Sequence, residues 1–117
     1  SKRGVIEEGT VVMAGVSVNS DSCIGKHVIL NTNCSIDHDC VISDFVHISP
    51  NVALAGNVSI GEGAHVGIGA AIIQGVTIGK WATIGAGAVI IGNIPDYAVV
   101  VGNPGKIIKY NDQKLIK

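Results

Sequence analysis

The chain has 117 residues and a mass of 11.9 kDa, one domain by length, and a domain this small leaves much of its surface in water. Its 16 Val and 18 Ile against 3 Leu, with aromatics at 3%, favour strands over helices and exclude a helical bundle. A net charge of −1 and a mean hydropathy of +0.47 exclude a disordered chain and argue against nucleic acid as a partner, and no apolar run approaches the ~18 residues of a membrane span.

No charged segment followed by an apolar run opens the chain, so the sequence reads as soluble and cytoplasmic. Cys23, Cys34 and Cys40 are odd in number and lack C-x-x-C spacing, which signals reduced thiols and neither a disulfide framework nor a zinc ribbon. Charge is unevenly spread. Residues 1–79 carry 3 basic and 7 acidic groups, whereas residues 80–117 carry 5 basic and 2 acidic ones. The basic final third suits a small anionic ligand, or is simply a solvated tail.

From the start of the chain to Ile90 the sequence repeats every six residues. Ile6, Val12, Val18, Ile24, Leu30, Ile36, Ile42, Ile48, Leu54, Ile60, Val66, Ile72, Ile78, Ile84 and Ile90 are all aliphatic, and two positions before each stands a small or β-branched residue. Two inward positions separated by one outward residue make a short strand, and the other three residues make a corner. Glycine follows the aliphatic residue at Gly25, Gly61, Gly67, Gly79 and Gly85, where a tight corner is expected to need a permissive backbone. Three such sides close a coil of 18 residues, so the repeat predicts a parallel β-helix of about five three-sided coils over residues 1–92. At ~4.8 Å per coil the prism is on the order of 24 Å long, with no interior room for rings. Outer faces carrying Val41, Ala71 and Val89 would leave apolar surface on a single prism, which predicts self-association.

After Ile90 the period stops, and Asn93-Ile94-Pro95-Asp96-Tyr97 punctuates a change of structure. Residues 93–117 are expected to form a short C-terminal extension: a strand from Ala98 to Val101, a turn over Gly102–Lys106, and a lysine-rich end in frayed helix or coil.

Chemistry is sought where the repeat is interrupted by reactive side chains. His38 falls at an outward corner between Asp37 and Asp39, where a carboxylate can fix its tautomer and stabilise the imidazolium formed when it accepts a proton. The same spacing also fits a solvated histidine flanked by acids. His47 and His65 are 18 residues apart and stack in successive coils, as a groove wall or as two solvent-facing rings, the latter being the reading favoured for His65. Gly67-Ile68-Gly69 and Gly85-Ala86-Gly87 are also 18 apart. They leave a shallow lane whose backbone groups suit an extended amide-containing chain, or they are simply corner glycines.

Taken together, Asp37-His38-Asp39-Cys40, Val46-His47-Ile48-Ser49-Pro50, Leu54-Ala55-Gly56-Asn57-Val58 and Val101-Gly102-Asn103-Pro104-Gly105-Lys106 resemble the hexapeptide-repeat sugar acetyltransferases of bacterial surface glycans. That branch holds sialic acid O-acetyltransferases and N-acetyltransferases of nucleotide-linked 4-amino sugars, and the resemblance covers essentially the whole chain. It implies a left-handed helix, acetyl-CoA as co-substrate with no metal, a small-molecule sugar acceptor, and a homotrimer with active sites between subunits.

Residue by residue, it implies His38 as general base and Asp39, where the family often has Glu, as the acid that orients it. It implies His47 and the Gly56 N–H at the thioester, the main chain of Gly67, Ile68, Gly85 and Ala86 along the pantetheine arm, and Lys106, with Lys80 or Lys109, near the CoA phosphates. Gly105 stands where the family usually has alanine. The resemblance also implies a preceding nucleotide-binding-like domain, so the chain is either a piece of a longer one or a short version.

Three other functions remain in view: an O-acetyltransferase on sialic acid or a related sugar, a zinc carbonic-anhydrase-like enzyme using His38, His47 and His65, and a non-catalytic β-helix scaffold. The second lacks the pair of histidines five residues apart that its family carries, and the third lacks regular threonine columns.

Overall fold

The computed structural model describes residues 5–111 and contains strands and turns only. Fifteen two-residue strands repeat every six residues and form a parallel β-helix of about five coils, as the period predicts, consistent with the left hand that the resemblance implies. The first face stacks Val5–Ile6, Cys23–Ile24, Val41–Ile42, Ser59–Ile60 and Thr77–Ile78. The second stacks Val11–Val12, Ile29–Leu30, His47–Ile48, His65–Val66 and Thr83–Ile84, and the third Ser17–Val18, Ser35–Ile36, Ala53–Leu54, Ala71–Ile72 and Val89–Ile90. Register between coils is 18 residues throughout, for example His47 beside His65 and Ile48 beside Val66.

The period works because each strand points one side chain inward and the next outward. From Ile24 to Ile90 every sixth aliphatic residue is at most 2% exposed, and the inward residue two positions earlier is also buried. Phe45 and Tyr110 are exposed, and Trp81 and Tyr97 lie outside the core, because a coil this narrow is filled by Ile, Val and Ala. The first coil lacks a neighbour on one side among the described residues, so Ile6 and Val12 are 49% and 46% exposed.

The corners correct one expectation. The glycines that follow the aliphatic residue are not the residues with positive φ. That conformation belongs to the third corner residue, which is glycine at Gly63 or Gly87 but also Asp21, His27, Asn33, Asp39, Phe45, Asn51, Asn57 and Trp81. Asn and Asp tolerate this region, whereas Phe45 and Trp81 hold it against a steric penalty. Gly61 and Gly79 are needed for space instead: a Cβ on either would lie within 2.7 Å of the next coil's main chain.

Beyond Ile90 the strand Ala98–Val101 continues the second face, pairing in parallel with Thr83–Ile84. The following turn holds a cis Asn103–Pro104 peptide. The lysine-rich end departs from the expected helix or coil. Lys106–Tyr110 is a strand that returns antiparallel to Ala98–Val101, because Ile107 and Ile108 carry strand propensity and the preceding strand offers an unpaired edge. Lys114 and Lys117 lie outside the described residues.

Burial within one repeat phase sets the expected effect of truncation. Ile48→Ala should destabilise the fold by about 2–5 kcal/mol. Ile6→Ala, at the same phase but half exposed, should cost about 1 kcal/mol or less. Urea unfolding of the two variants beside the parent checks the difference.

Candidate active site

His38 sits at the corner joining the third face to the first, and its geometry is set by its neighbours. Asp37 Oδ1 accepts hydrogen bonds from the His38 main-chain N–H at 2.7 Å and from Asn19 Nδ2 at 2.9 Å. These donors hold the Asp37 carboxyl below its usual pKa, Asn19 contributing most. Asp39, turned by its positive φ, brings Oδ2 to 3.1 Å from His38 Nδ1. With Nδ1 donating to that carboxylate, Nε2 carries the lone pair of a proton acceptor.

Gly56 occupies the same corner one coil further on. A Cβ there would lie 2.6 Å from both Cε1 and Nε2 of His38, so the ring rests over bare backbone. Among the described residues no acceptor meets the Gly56 N–H: Ala55 precedes it, whereas Asp37 and Asn31 cap the next N–H at two equivalent corners. His38, Asp39 and Gly56 thus combine a proton acceptor, a carboxylate that orients it, and a free amide donor.

The second face carries a separate groove of about 630 Å³. Its walls include His47, Ser49, His65, Gly67, Ile68, Gly85 and Ala86. The ring centroids of His47 and His65 are 4.7 Å apart. His65 Nε2 lies 3.3 Å from Ser49 Oγ, while His47 Nε2 is buried without a partner. Burial, and secondarily the His65 charge, hold the His47 pKa below its ordinary value of 6.5. Ser49 and His65 are groove residues that the sequence reading left unassigned or solvent-facing; their stacking on His47 and Gly67 at 18-residue spacing was the available signal.

The expected site residues therefore fall into two groups. His38, Asp39 and Gly56 share the third-to-first corner, whereas His47, Gly67, Ile68, Gly85 and Ala86 line the groove on the second face. In a three-sided prism that face is opposite the corner, with the packed core between them, so one chain cannot offer both groups to one ligand. Lys106 and Lys109 lie on the returning strand of the second face's sheet, beyond the groove-lining residues. Lys80 lies elsewhere, in a recess with Ser43, Asp44, Gly61 and Glu62. Among the described residues no three His, Cys, Asp or Glu side chains converge as metal ligands, and His38 stands across the prism from the His47–His65 pair.

Residues 57–92 match the family model described as bacterial transferase hexapeptide (six repeats). A search of curated proteins finds no match. Among solved structures, the chain is 46% identical to the acetyltransferase domain of PglB from Neisseria gonorrhoeae FA1090 in complex with acetyl coenzyme A, over 92% of this chain and 53% of that one, with a TM-score of 0.90. It is 38% identical to a variant of perosamine N-acetyltransferase from Caulobacter crescentus solved with CoA and GDP-perosamine, over 93% of this chain and 58% of that one, with a TM-score of 0.77. A maltose O-acetyltransferase from Clostridium difficile 630 is 26% identical over 91% of this chain and 71% of that one, at a TM-score of 0.85. Residues 57–92 thus carry the bacterial transferase hexapeptide repeat, and these solved structures to which the chain is similar are those of bacterial sugar acetyltransferases. It spans about half the length of the PglB domain structures.

Two outcomes follow from the geometry. Gly56→Ala puts a methyl against the His38 ring without requiring positive φ, and should lower turnover by about 100-fold while the fold persists. Steady-state kinetics and circular dichroism check this. The lowered His47 pKa means that the unfolded chain binds the proton more readily, so this group's stabilisation is present above about pH 6.5 and is lost as pH falls towards the folded pKa. His47→Asn should therefore weaken the acid dependence of the melting temperature between pH 7 and 5, read by thermal scans of both proteins.

Proposed function

We propose that the chain transfers an acetyl group from acetyl-CoA to the amine of a sugar, nucleotide-linked, in the assembly of bacterial surface glycans. The observation that carries the reading is the His38–Asp39 pair resting on Gly56, since it joins a base and a free amide donor on one corner. Similarity to the perosamine N-acetyltransferase at 38% identity, against 26% for the maltose O-acetyltransferase, favours nitrogen over oxygen as the nucleophile.

In this reading two prisms form each site, and three close the assembly as a ring in which every groove meets a neighbour's corner. The groove of one subunit takes the CoA arm: Gly67 and Gly85 keep the lane shallow, main-chain groups of Ile68 and Ala86 bond its amides, and His47 lies beside the thioester. Lys106, beyond the groove, faces the phosphates. The neighbouring corner supplies the chemistry. His38 Nε2 takes the proton from the acceptor nitrogen as it attacks the thioester carbon, and Asp39 holds the ring and stabilises its charge. The Gly56 N–H donates to the oxygen as negative charge develops there, and collapse of the intermediate breaks the C–S bond, so that CoA leaves as the thiol with the proton His38 had taken. Neither Cys34 nor Cys40 takes part. Cys34 and Cys40 are buried inside the coil, and burial raises both thiol pKa values, that of Cys34 to about 11.

Thiol release from acetyl-CoA should appear with nucleotide-linked 4-amino sugars, GDP-perosamine included, in preference to sialic acid or maltose. His38→Ala should lower it by about 10²- to 10⁴-fold, and Asp39→Asn by a smaller factor. Full activity of His38→Ala, or no release with any acceptor, contradicts the reading.

A further inference from the structure

The corner that carries His38 is closed through a side-chain hydroxyl, an arrangement it shares among the described residues with the His27 corner. At five other corners the main chain closes on itself: Cys34 N–H bonds Asn31 O, Ala64 bonds Gly61, Ala70 bonds Gly67, Ala82 bonds Gly79 and Ala88 bonds Gly85, at 3.2–3.4 Å. At residues 37–40 a side chain from the preceding coil intervenes. Ser22 Oγ donates to Asp37 O at 2.8 Å and accepts from Cys40 N–H at 3.0 Å, so the hydroxyl bridges the two ends that meet directly at those five corners. Ser22 is 1% exposed and occupies an inward phase that Val fills at 28, 46, 52, 58 and 76, so packing at this phase does not itself require a hydroxyl-bearing side chain.

The same corner is loosely tied in another respect. The main-chain bond from its positive-φ residue to the coil before, Asp39 N–H to Ser20 O, is 3.4 Å long, whereas equivalent bonds at Phe45, Asn51, Asn57 and Trp81 span 2.8–3.0 Å. Its shape consequently depends on Ser22 from inside and on the Asn19–Asp37 bond from outside. One coil further, Cys40 Sγ donates to Ala55 O at 3.2 Å, immediately before Gly56.

We infer that Ser22 is a positioning residue for the base: its buried hydroxyl holds the 37–40 corner open and so sets where the His38 ring stands relative to Asp39 and Gly56. This rests on the reading of His38 as the base. Thr10 supplies a matched control, because it makes the same two bonds, to Gly25 O at 2.7 Å and from Val28 N–H at 3.1 Å, at a corner that holds His27 instead.

The test compares Ser22→Val, Ser22→Thr and Thr10→Val in the full chain by two readouts. The first is the His38 tautomer from nitrogen-15 NMR, assigned by its loss in His38→Ala. The second is acetyl transfer to GDP-perosamine and the other nucleotide-linked amino sugars. Ser22→Val should leave the corner free to close directly, lower kcat by about 10- to 100-fold and leave KM for acetyl-CoA within about twofold, since the groove residues that would hold the CoA arm belong to the neighbouring subunit and are untouched. The His38 signal should change from Nδ1-protonated to a mixture. Ser22→Thr should restore both readouts, and Thr10→Val should leave both unchanged. Should Ser22→Val fail to fold, Ser22→Ala replaces it, alanine filling this phase at 64, 70, 82 and 88.

Parent-like tautomer and kcat in the valine or alanine variant would overturn the inference, as would an equal loss in Thr10→Val. A parent protein that transfers acetyl to no acceptor defeats the proposed function instead, and the tautomer comparison still decides the role of Ser22.

Discussion

The structure depends on closing a coil with eighteen residues, two inward and four outward or cornering on each side. This requirement fills the interior with Ile, Val, Ala and Cys, excludes rings from the core, and stacks every position on the residue 18 further along. It also makes the surface a regular lattice of three flat faces and three corners. A side chain's place on that lattice follows from its phase in the repeat, so chemistry at any point is built by substitution at a phase rather than by a loop. The His38 corner, the His47–His65 stack and the glycine lane are all produced in this way.

The same closure divides the candidate site. A corner and the face opposite it cannot approach each other through a filled core, and the proposed base, His38, lies on one while the groove lies on the other. Association therefore has a chemical role in this account as well as covering apolar outer residues such as Val41, which is 48% exposed. A rigid scaffold suits that division. Each coil is tied to the next by main-chain bonds of about 3 Å on every face, so the positions of corner and groove within a chain are set by packing rather than by moving segments.

Most of the fold was legible because its signal recurs at every sixth residue from Ile6 to Ile90. The features missed are those that a repeat does not encode. Positive φ at the third corner residue was hinted at by Asn33, Asn51 and Asn57, but Phe45 and Trp81 in the same conformation conceal the rule. The strand at Lys106–Tyr110 depends on the edge offered by Ala98–Val101, a tertiary effect that overrides the appearance of a lysine-rich tail. For the site, the phases of His38 and His47 in the repeat carry their placement on different sides, which the structure makes plain. The contact of the His38 ring with Gly56, the link from Ser49 to His65 and the bridging hydroxyl of Ser22 needed atomic positions. A serine at an inward phase is visible in sequence, but the groups it joins are not.

The central claim is that two chains make one active site, the corner of one facing the groove of the next. Mixing two inactive proteins tests it most directly: His38→Ala, which lacks the base, and Ala86→Trp, which blocks the lane at an exposed position. After the two are unfolded and refolded together in equal amounts, random trimers should recover roughly one quarter of parental acetyl-transfer activity, because each interface has one chance in about four of joining an intact corner to an intact groove. Activity no higher than that of either variant alone would contradict the account and place the whole site within a single chain.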